Sequence, residues 1–293
     1  MSLYFLIPQY QEPIGIVFIV HGFHEHSSRP GYAYLASLLT DQGFIVYAHD
    51  HQGHGQSNGD EAYFTGIFSL RDHAIEIVET LSKTDKLKNL PVFLWGHSMG
   101  GLISDLIAIE RPDLLTGMVL SAPAIKLEDE KLNFVNVHLS PILSKFFPKV
   151  WFPEGVDVEK VTRSEEARRR YVEDPMCYTH GYLRIRSGCS IMQGTFYAQE
   201  HTTDVITPML IMHGTDDKVC DIKGSEMLFK QANSTDKQYI KMTGVYHEVY
   251  EDPDRDIWLP KGVEWLRTRA FKVSESKLFQ NTGLRRIPVS SKL

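Results

Sequence analysis

Apolar residues along the chain follow two rhythms. Unbroken runs rich in Val, Ile, Leu and Phe occupy Ile14 to Val20, Phe44 to Ala48, Val92 to Trp95, Gly117 to Leu120, Pro208 to Met212 and Gln238 to Met242. Short runs that are continuous instead of alternating are the pattern of strands buried on both faces. Between them, Tyr32 to Leu39, Leu70 to Ser82, Met99 to Glu110, Gly224 to Gln231 and Asp256 to Thr268 carry helical patterns. Strand and helix in alternation predict an α/β chain whose mostly parallel, doubly wound sheet has helices on both faces.

The alternation stops between Ser121 and Thr207. That stretch has helix-like patterns and no convincing buried strand, and it begins and ends at strands of the sheet. It reads as a helical cap (121–206) inserted into one core domain (1–120 and 207–271). Residues 272–293 lack apolar periodicity and read as a tail. Leu132 to Phe152 is apolar with few charges, whereas Arg163, Arg168, Arg169 and Arg170 stand among glutamates and read as a solvated face. The apolar part is either a lipid-facing surface or a self-packed helical subdomain.

Composition narrows the class. The chain is 42% hydrophobic and 23% charged over 293 residues, which excludes disorder, collagen and coiled coil. Its net charge of -6 offers nothing to a nucleic acid. The longest early apolar run, Ile16 to Val20, is too short to span a bilayer. With no basic leader and no small-residue cleavage site, secretion is not expected. Three cysteines (Cys177, Cys189, Cys220) fit a reducing, intracellular compartment better than a disulfide framework.

The strongest chemical signal is Gly96-His97-Ser98-Met99-Gly100-Gly101, directly after one predicted strand and opening a predicted helix. This is the context of a G-x-S-x-G nucleophile elbow, in which Ser98 stands exposed on a tight turn at a helix head. The alternative is a glycine-rich turn that happens to hold a serine. A serine nucleophile needs a base oriented by an acid. Two loops at the carboxyl ends of later strands supply them: His213-Gly214-Thr215-Asp216-Asp217 and Gly244-Val245-Tyr246-His247-Glu248. His247 is the candidate base. Asp217 is the preferred acid, and Asp216 is the alternative that would otherwise cap a turn. Oxyanion donors are expected from the amides of Met99, after the nucleophile, and Phe23, in the loop His21-Gly22-Phe23-His24-Glu25-His26. His21, His24 and His26 look superficially like a metal cluster, but no cysteine or carboxylate lies at ligand spacing. No metal and no cofactor is expected. His51 and His54 read as turn-stabilising residues.

Taken together, His21-Gly22 with Glu25-His26-Ser27, Asp50 to Ser57, Gly96 to Gly101, Asp217 to Asp221 and Tyr246-His247 resemble the monoglyceride lipases. These are serine hydrolases of the α/β-hydrolase superfamily, and the resemblance runs from Ile16 to Arg269. It implies an α/β-hydrolase fold, a Ser98–Asp217–His247 triad, and an oxyanion hole formed by the Phe23 and Met99 amides. It further implies that Glu25, Arg29 and Tyr171 lie near a glycerol headgroup. Residues Phe134 to Trp151 would dock on a membrane, and Cys220 would be a modifiable thiol near the acid. The chain departs from the family in its shortened leading segment, in Phe23 and His24 where small residues are usual, and in Tyr250 where a second histidine is common.

The implied activity is hydrolysis of monoacylglycerols to fatty acid and glycerol through an acyl-enzyme on Ser98. The rivals are a lysophospholipase, a broad carboxylesterase, and a non-catalytic α/β-hydrolase that only binds. A lipid ester is the expected partner. The C-terminal Ser291-Lys292-Leu293 matches a peroxisomal address, which implies an import receptor and a peroxisome-related organelle as the alternative to a cytoplasmic location.

Overall fold

The apolar runs do form the sheet, because each carries side chains for two opposite cores. In the computed structural model, which describes residues 3–8, 12–85, 87–127, 141–152, 157–180 and 182–282, the strands are β1 (Leu3–Leu6), β2 (Gly15–Val20), β3 (Phe44–His49), β4 (Val92–His97), β5 (Gly117–Ser121), β8 (Met209–Gly214) and β9 (Lys237–Met242). Their order is β1-β3-β2-β4-β5-β8-β9; all neighbours are parallel except β1, which runs antiparallel to β3. Successive strand side chains point to opposite faces. Ile16, Phe18 and Val20 accordingly join one core, together with Leu102 and Leu106 of α3 (Met99–Glu110), Leu70 and Ala74 of α2 (Ile67–Lys83), Ala198 and Leu228. Val17 and Ile19 join the other, with Tyr32 and Leu35 of α1 (Pro30–Asp41) and Leu259 and Val263 of α9 (Arg255–Thr282).

The segment between β5 and β8 holds α4 (residues 141–146), β6 (Trp151–Phe152), α5 (Val158–Val161), α6 (Glu165–Glu173), β7 (Leu183–Arg184) and α7 (Ile185–Glu200). Ser164 caps α6 by accepting from the Ala167 amide. Helix α8 (Ile222–Gln231), between β8 and β9, is capped by Asp221, which accepts from the Lys223 amide.

Three local features differ from expectation. Strand β1 extends the sheet at an edge; its four residues are too few to show a period. The inserted segment contains a small antiparallel β6–β7 pair, held by Trp151 opposite Arg184 and Phe152 opposite Leu183. Two-residue strands leave no pattern in a sequence. Helix α9 continues from its packed first half to Thr282, past the expected end at Thr268 and into the residues expected as a tail. The rest of that tail, including Ser291-Lys292-Leu293, lies outside the described residues, as do residues 134–140 of the proposed docking surface.

Candidate active site

Strand β4 and helix α3 meet at Ser98, which takes the left-handed backbone conformation (φ 53°, ψ -117°). For a residue with a Cβ this geometry is strained and persists only where the surroundings impose it. They do so by leaving no room for side chains: a Cβ on Gly100 would overlap the carbonyl oxygen of Val20, and one on Gly96 that of Gly100. The Ser98 amide donates to the Ser121 carbonyl (3.0 Å), and its own carbonyl accepts from Leu102 (3.0 Å) and Ala124 (3.0 Å). Ser98 is the N-cap of α3, yet its hydroxyl makes no capping hydrogen bond. The first amides of a helix have no intrahelical acceptor, and Met99 is one of them.

Asp217 and His247 come from loops after β8 and β9, and the His247 Nδ1–H donates to Asp217 Oδ2 over 2.7 Å. The same oxygen lies 3.0 Å from His213 Nε2, while Oδ1 accepts the amides of Val219 (2.7 Å) and Cys220 (3.0 Å). Burial alone would raise Asp217, but the adjacent His247 and the hydrogen bonds from His213 and His247 hold the carboxyl well below its usual range. Asp216 is exposed and, among the described residues, its carboxylate accepts only from the Thr215 hydroxyl (2.9 Å). Of the two adjacent aspartates, Asp217 is therefore the one aimed at the base. Cys220, which the resemblance implied as a modifiable thiol near the acid, is buried beside Asp217 and donates its amide to it.

The loop after β2 abuts the elbow: a Cβ on Gly22 would stand 3.2 Å from that of Ser98. His97, the residue before the serine, packs its ring 4.8 Å from the His247 ring. Burial, with His247 adding to it, pushes His97 down to about 3, so that imidazole is neutral. His51 and His54 serve the loop, as expected. The His51 amide donates to His21 Nε2 (3.0 Å), and its ring returns a 3.2 Å bond to the His21 carbonyl. Asp50 anchors the neighbouring segments by accepting from the Ser27 amide (2.9 Å) and hydroxyl (2.6 Å) and from the Gln56 amide (2.9 Å). Where the family commonly has a second histidine, Tyr250 is buried and accepts from Trp95 Nε1 (3.0 Å).

Glu25, Arg29 and Tyr171 do come together, but their polar atoms are spent within the protein. Glu25 Oε1 accepts the Gly22 amide (2.6 Å) and the Tyr32 hydroxyl (2.6 Å), and Oε2 accepts Arg29 Nη1 (2.5 Å). Arg29 also donates to Glu248 (2.8 Å) and Glu251 (3.1 Å), and its guanidinium lies 4.6 Å over the Tyr171 ring. The Tyr171 hydroxyl donates to the His24 carbonyl (3.2 Å). One buried cation thus faces three buried carboxylates, with Arg170 adding a partly exposed bond to Glu251. Against the pull of burial, Arg29 holds Glu25 down to about 2. Burial, reinforced by Glu25 and Glu251 and only partly opposed by Arg29, pushes Glu248 up to about 7. The network fixes the Gly22 amide and the turn that follows it. Sequence reasoning missed His213, Glu248 and Glu251, which carry no motif and acquire meaning only through their neighbours.

A central parallel sheet, a strained serine between strand and helix, and a buried aspartate on a histidine define a serine hydrolase of the α/β-hydrolase fold. Residues 11–254 match the family described as serine aminopeptidase, S33. The monoglyceride lipase of Homo sapiens is 31% identical over 85% of this chain and 81% of its own length. Among solved structures, the monoacylglycerol lipase of Paleococcus ferrophilus superposes with a TM-score of 0.81 at 32% identity, covering 92% of this chain and 100% of that one. A soluble variant of the Saccharomyces cerevisiae monoglyceride lipase, in complex with a substrate analogue, gives 0.80 at 26% identity, with 91% of each chain covered. The chain belongs to the serine aminopeptidase S33 family of α/β hydrolases and, within it, to the monoglyceride lipases. Among the described residues, no helix is long and apolar enough to cross a membrane.

Proposed function

We propose that the chain is a carboxylic ester hydrolase that cleaves monoacylglycerols to fatty acid and glycerol. The observation that carries the mechanism is the 2.7 Å His247–Asp217 bond behind a strained Ser98. His247 takes the proton of Ser98 Oγ as that oxygen bonds to the acyl carbonyl carbon, and Asp217 stabilises the imidazolium. The Phe23 and Met99 amides hold the oxyanion of the tetrahedral intermediate. His247 then passes its proton to the departing glycerol oxygen, leaving an acyl-serine. Water deprotonated by His247 attacks the acyl carbon, and the bond to Ser98 breaks as the serine regains a proton. Glu25, Arg29 and Tyr171 act on the headgroup end through the loop they position, since their polar atoms are already paired.

The lipid-facing surface in this reading is the cap around α4, where Ile142, Phe146, Phe147 and Val150 are exposed and Lys145 and Lys149 are interleaved. Apolar side chains flanked by lysines suit an anionic bilayer interface. The terminal Ser291-Lys292-Leu293 would direct the enzyme to a peroxisome-related organelle, and a fluorescent fusion that stays diffuse in cells containing such organelles rejects that part.

The test of the activity is fluorophosphonate labelling of native protein and Ser98→Ala, together with rates on 1- and 2-acylglycerols, lysophosphatidylcholine and short p-nitrophenyl esters. Loss of labelling in the variant and preference for acylglycerol support the reading. Full labelling of Ser98→Ala removes the mechanism. A preference for lysophospholipid or for short esters replaces the substrate while leaving the mechanism intact.

A further inference from the structure

The sequence shows no cysteine or carboxylate at ligand spacing from His26, but the fold supplies one of each from a segment far along the chain. His26 Nε2, Asp174 Oδ2 and Cys177 Sγ all lie within 4.8 Å of one another. We propose that these three atoms form a binding site for a thiophilic divalent cation of the zinc type, closed by a water molecule, which clamps the cap onto the oxyanion loop.

Each donor is already oriented. The His26 Nδ1 lies 2.8 Å from the Ser28 hydroxyl, which fixes the ring and turns Nε2 toward the carboxylate, 2.8 Å from Asp174 Oδ2. A hydrogen-bonded second nitrogen is the usual support of a metal-bound histidine. The Met176 amide donates to Asp174 Oδ1 (2.9 Å), which leaves Oδ2 to face His26. The Cys177 amide donates to the Asp174 carbonyl (3.1 Å), and the resulting turn brings thiol and carboxylate together. Cys177 is buried and in no disulfide, while the Asp174 side chain is 21% exposed and provides the entry path.

A tetrahedral ion with bonds of about 2.0–2.3 Å sets its ligand atoms about 3.3–3.8 Å apart, so the site forms after shifts of roughly an ångström or less. Mixed nitrogen, oxygen and sulfur donors favour zinc or cobalt(II) over magnesium or calcium. Burial pushes the Cys177 thiol up, against the pull of Arg29, so binding must supply the cost of deprotonation; Arg29, which acts on both Asp174 and Cys177, is itself matched by Glu25, Glu248 and Glu251. On binding, the Cys177 thiol proton and any proton on His26 Nε2 pass to solvent, and no redox step is involved. The ion would reinforce a junction already present, where Tyr171 and Tyr178 donate to the His24 carbonyl.

The experiment is a titration of chelator-treated, thiol-reduced full-length protein with Co²⁺, followed by displacement with Zn²⁺. The expected result is one ion per chain, a cobalt–thiolate charge-transfer band that Zn²⁺ abolishes, and a rise in Tm of about 4 °C at a hundredfold excess of Zn²⁺ over Kd. Cys177→Ala eliminates the band, and Asp174→Asn weakens binding at least about tenfold. Asp174→Asn, changed at a partly exposed position, decides the matter if Cys177→Ala fails to fold. Absence of saturable binding at sub-millimolar ion, a band that survives Cys177→Ala, or binding with no thiolate band each overturns the proposal.

Discussion

Replacing Arg29 with Met tests whether the loop beside Ser98 is held by charge. In the native chain Arg29 donates to Glu25, Glu248 and Glu251, all three buried. Removing one partner of a buried ion pair costs about 3–5 kcal/mol, because the charge left behind is uncompensated. Unfolding entropy of about 2.1 cal/mol/K per residue gives roughly 0.6 kcal/mol/K for a chain of this length, so Tm falls by about 5–8 °C. The pH dependence separates charge from packing. A carboxyl raised in the fold contributes stability that is fully present below its unfolded value and lost as pH rises through its folded value. For native Glu248 that window runs from its ordinary 4.5 to about 7. Without Arg29 the carboxyls repel one another more strongly, so the Tm deficit of Arg29→Met is large at pH 8 and shrinks toward pH 5. Adding Glu248→Gln recovers part of the loss at pH 8, as contacting charges are non-additive. Because Glu25 also holds the Gly22 amide, kcat falls between about tenfold and a hundredfold. Thermal unfolding followed by circular dichroism at the two pH values measures this. An equal deficit at pH 5 and pH 8 refutes the electrostatic account and leaves only lost packing over Tyr171.

Asp217→Asn keeps the shape of the acid but favours the wrong tautomer of His247, so kcat drops on the order of 10⁴-fold while Asp216→Asn changes it little. Steady-state hydrolysis of one ester by both variants checks this. Asp105 in α3 is buried, neither of its oxygens has a hydrogen-bond partner among the described residues, and burial pushes it up to about 8. It therefore removes stability as pH rises from its ordinary 3.8 toward 8, and Asp105→Asn flattens that dependence in urea melts at pH 5 and pH 9. Phe146→Ser with Phe147→Ser reduces flotation with anionic liposomes and leaves the hydrolysis rate on a dissolved short ester unchanged. Equal flotation would discard the docking surface.

Local signals carried far in this chain. The strands β2, β3, β4, β5 and β8 are each buried on both faces, so both faces select apolar residues and the run is visible without knowing its neighbours. The elbow was legible for a different reason. Its backbone needs small residues at fixed positions, and that constraint is written in adjacent letters. His247 and Asp217 could be picked as candidates because strand ends locate ligand-binding loops in such sheets, and the fold does pair them. Strand β1 and the β6–β7 pair are too short to show a period, and α9 runs past its expected end because a helix already nucleated by packing propagates one hydrogen bond per residue.

What the chain determined by itself, then, is the doubly wound sheet and the place where its alternation stops, and it marked Ser98 as the candidate nucleophile, since each follows from residues close in sequence. Tertiary structure alone decided who pairs with whom. It gave Asp217 a second histidine, turned Arg29 inward onto Glu25, Glu248 and Glu251, and brought Asp174 and Cys177 to His26. Those partners are separated by up to hundreds of residues, and a buried charge or an imidazole lone pair has no periodicity. Its meaning is set by the atom that happens to lie within 3 Å of it, which only the fold supplies.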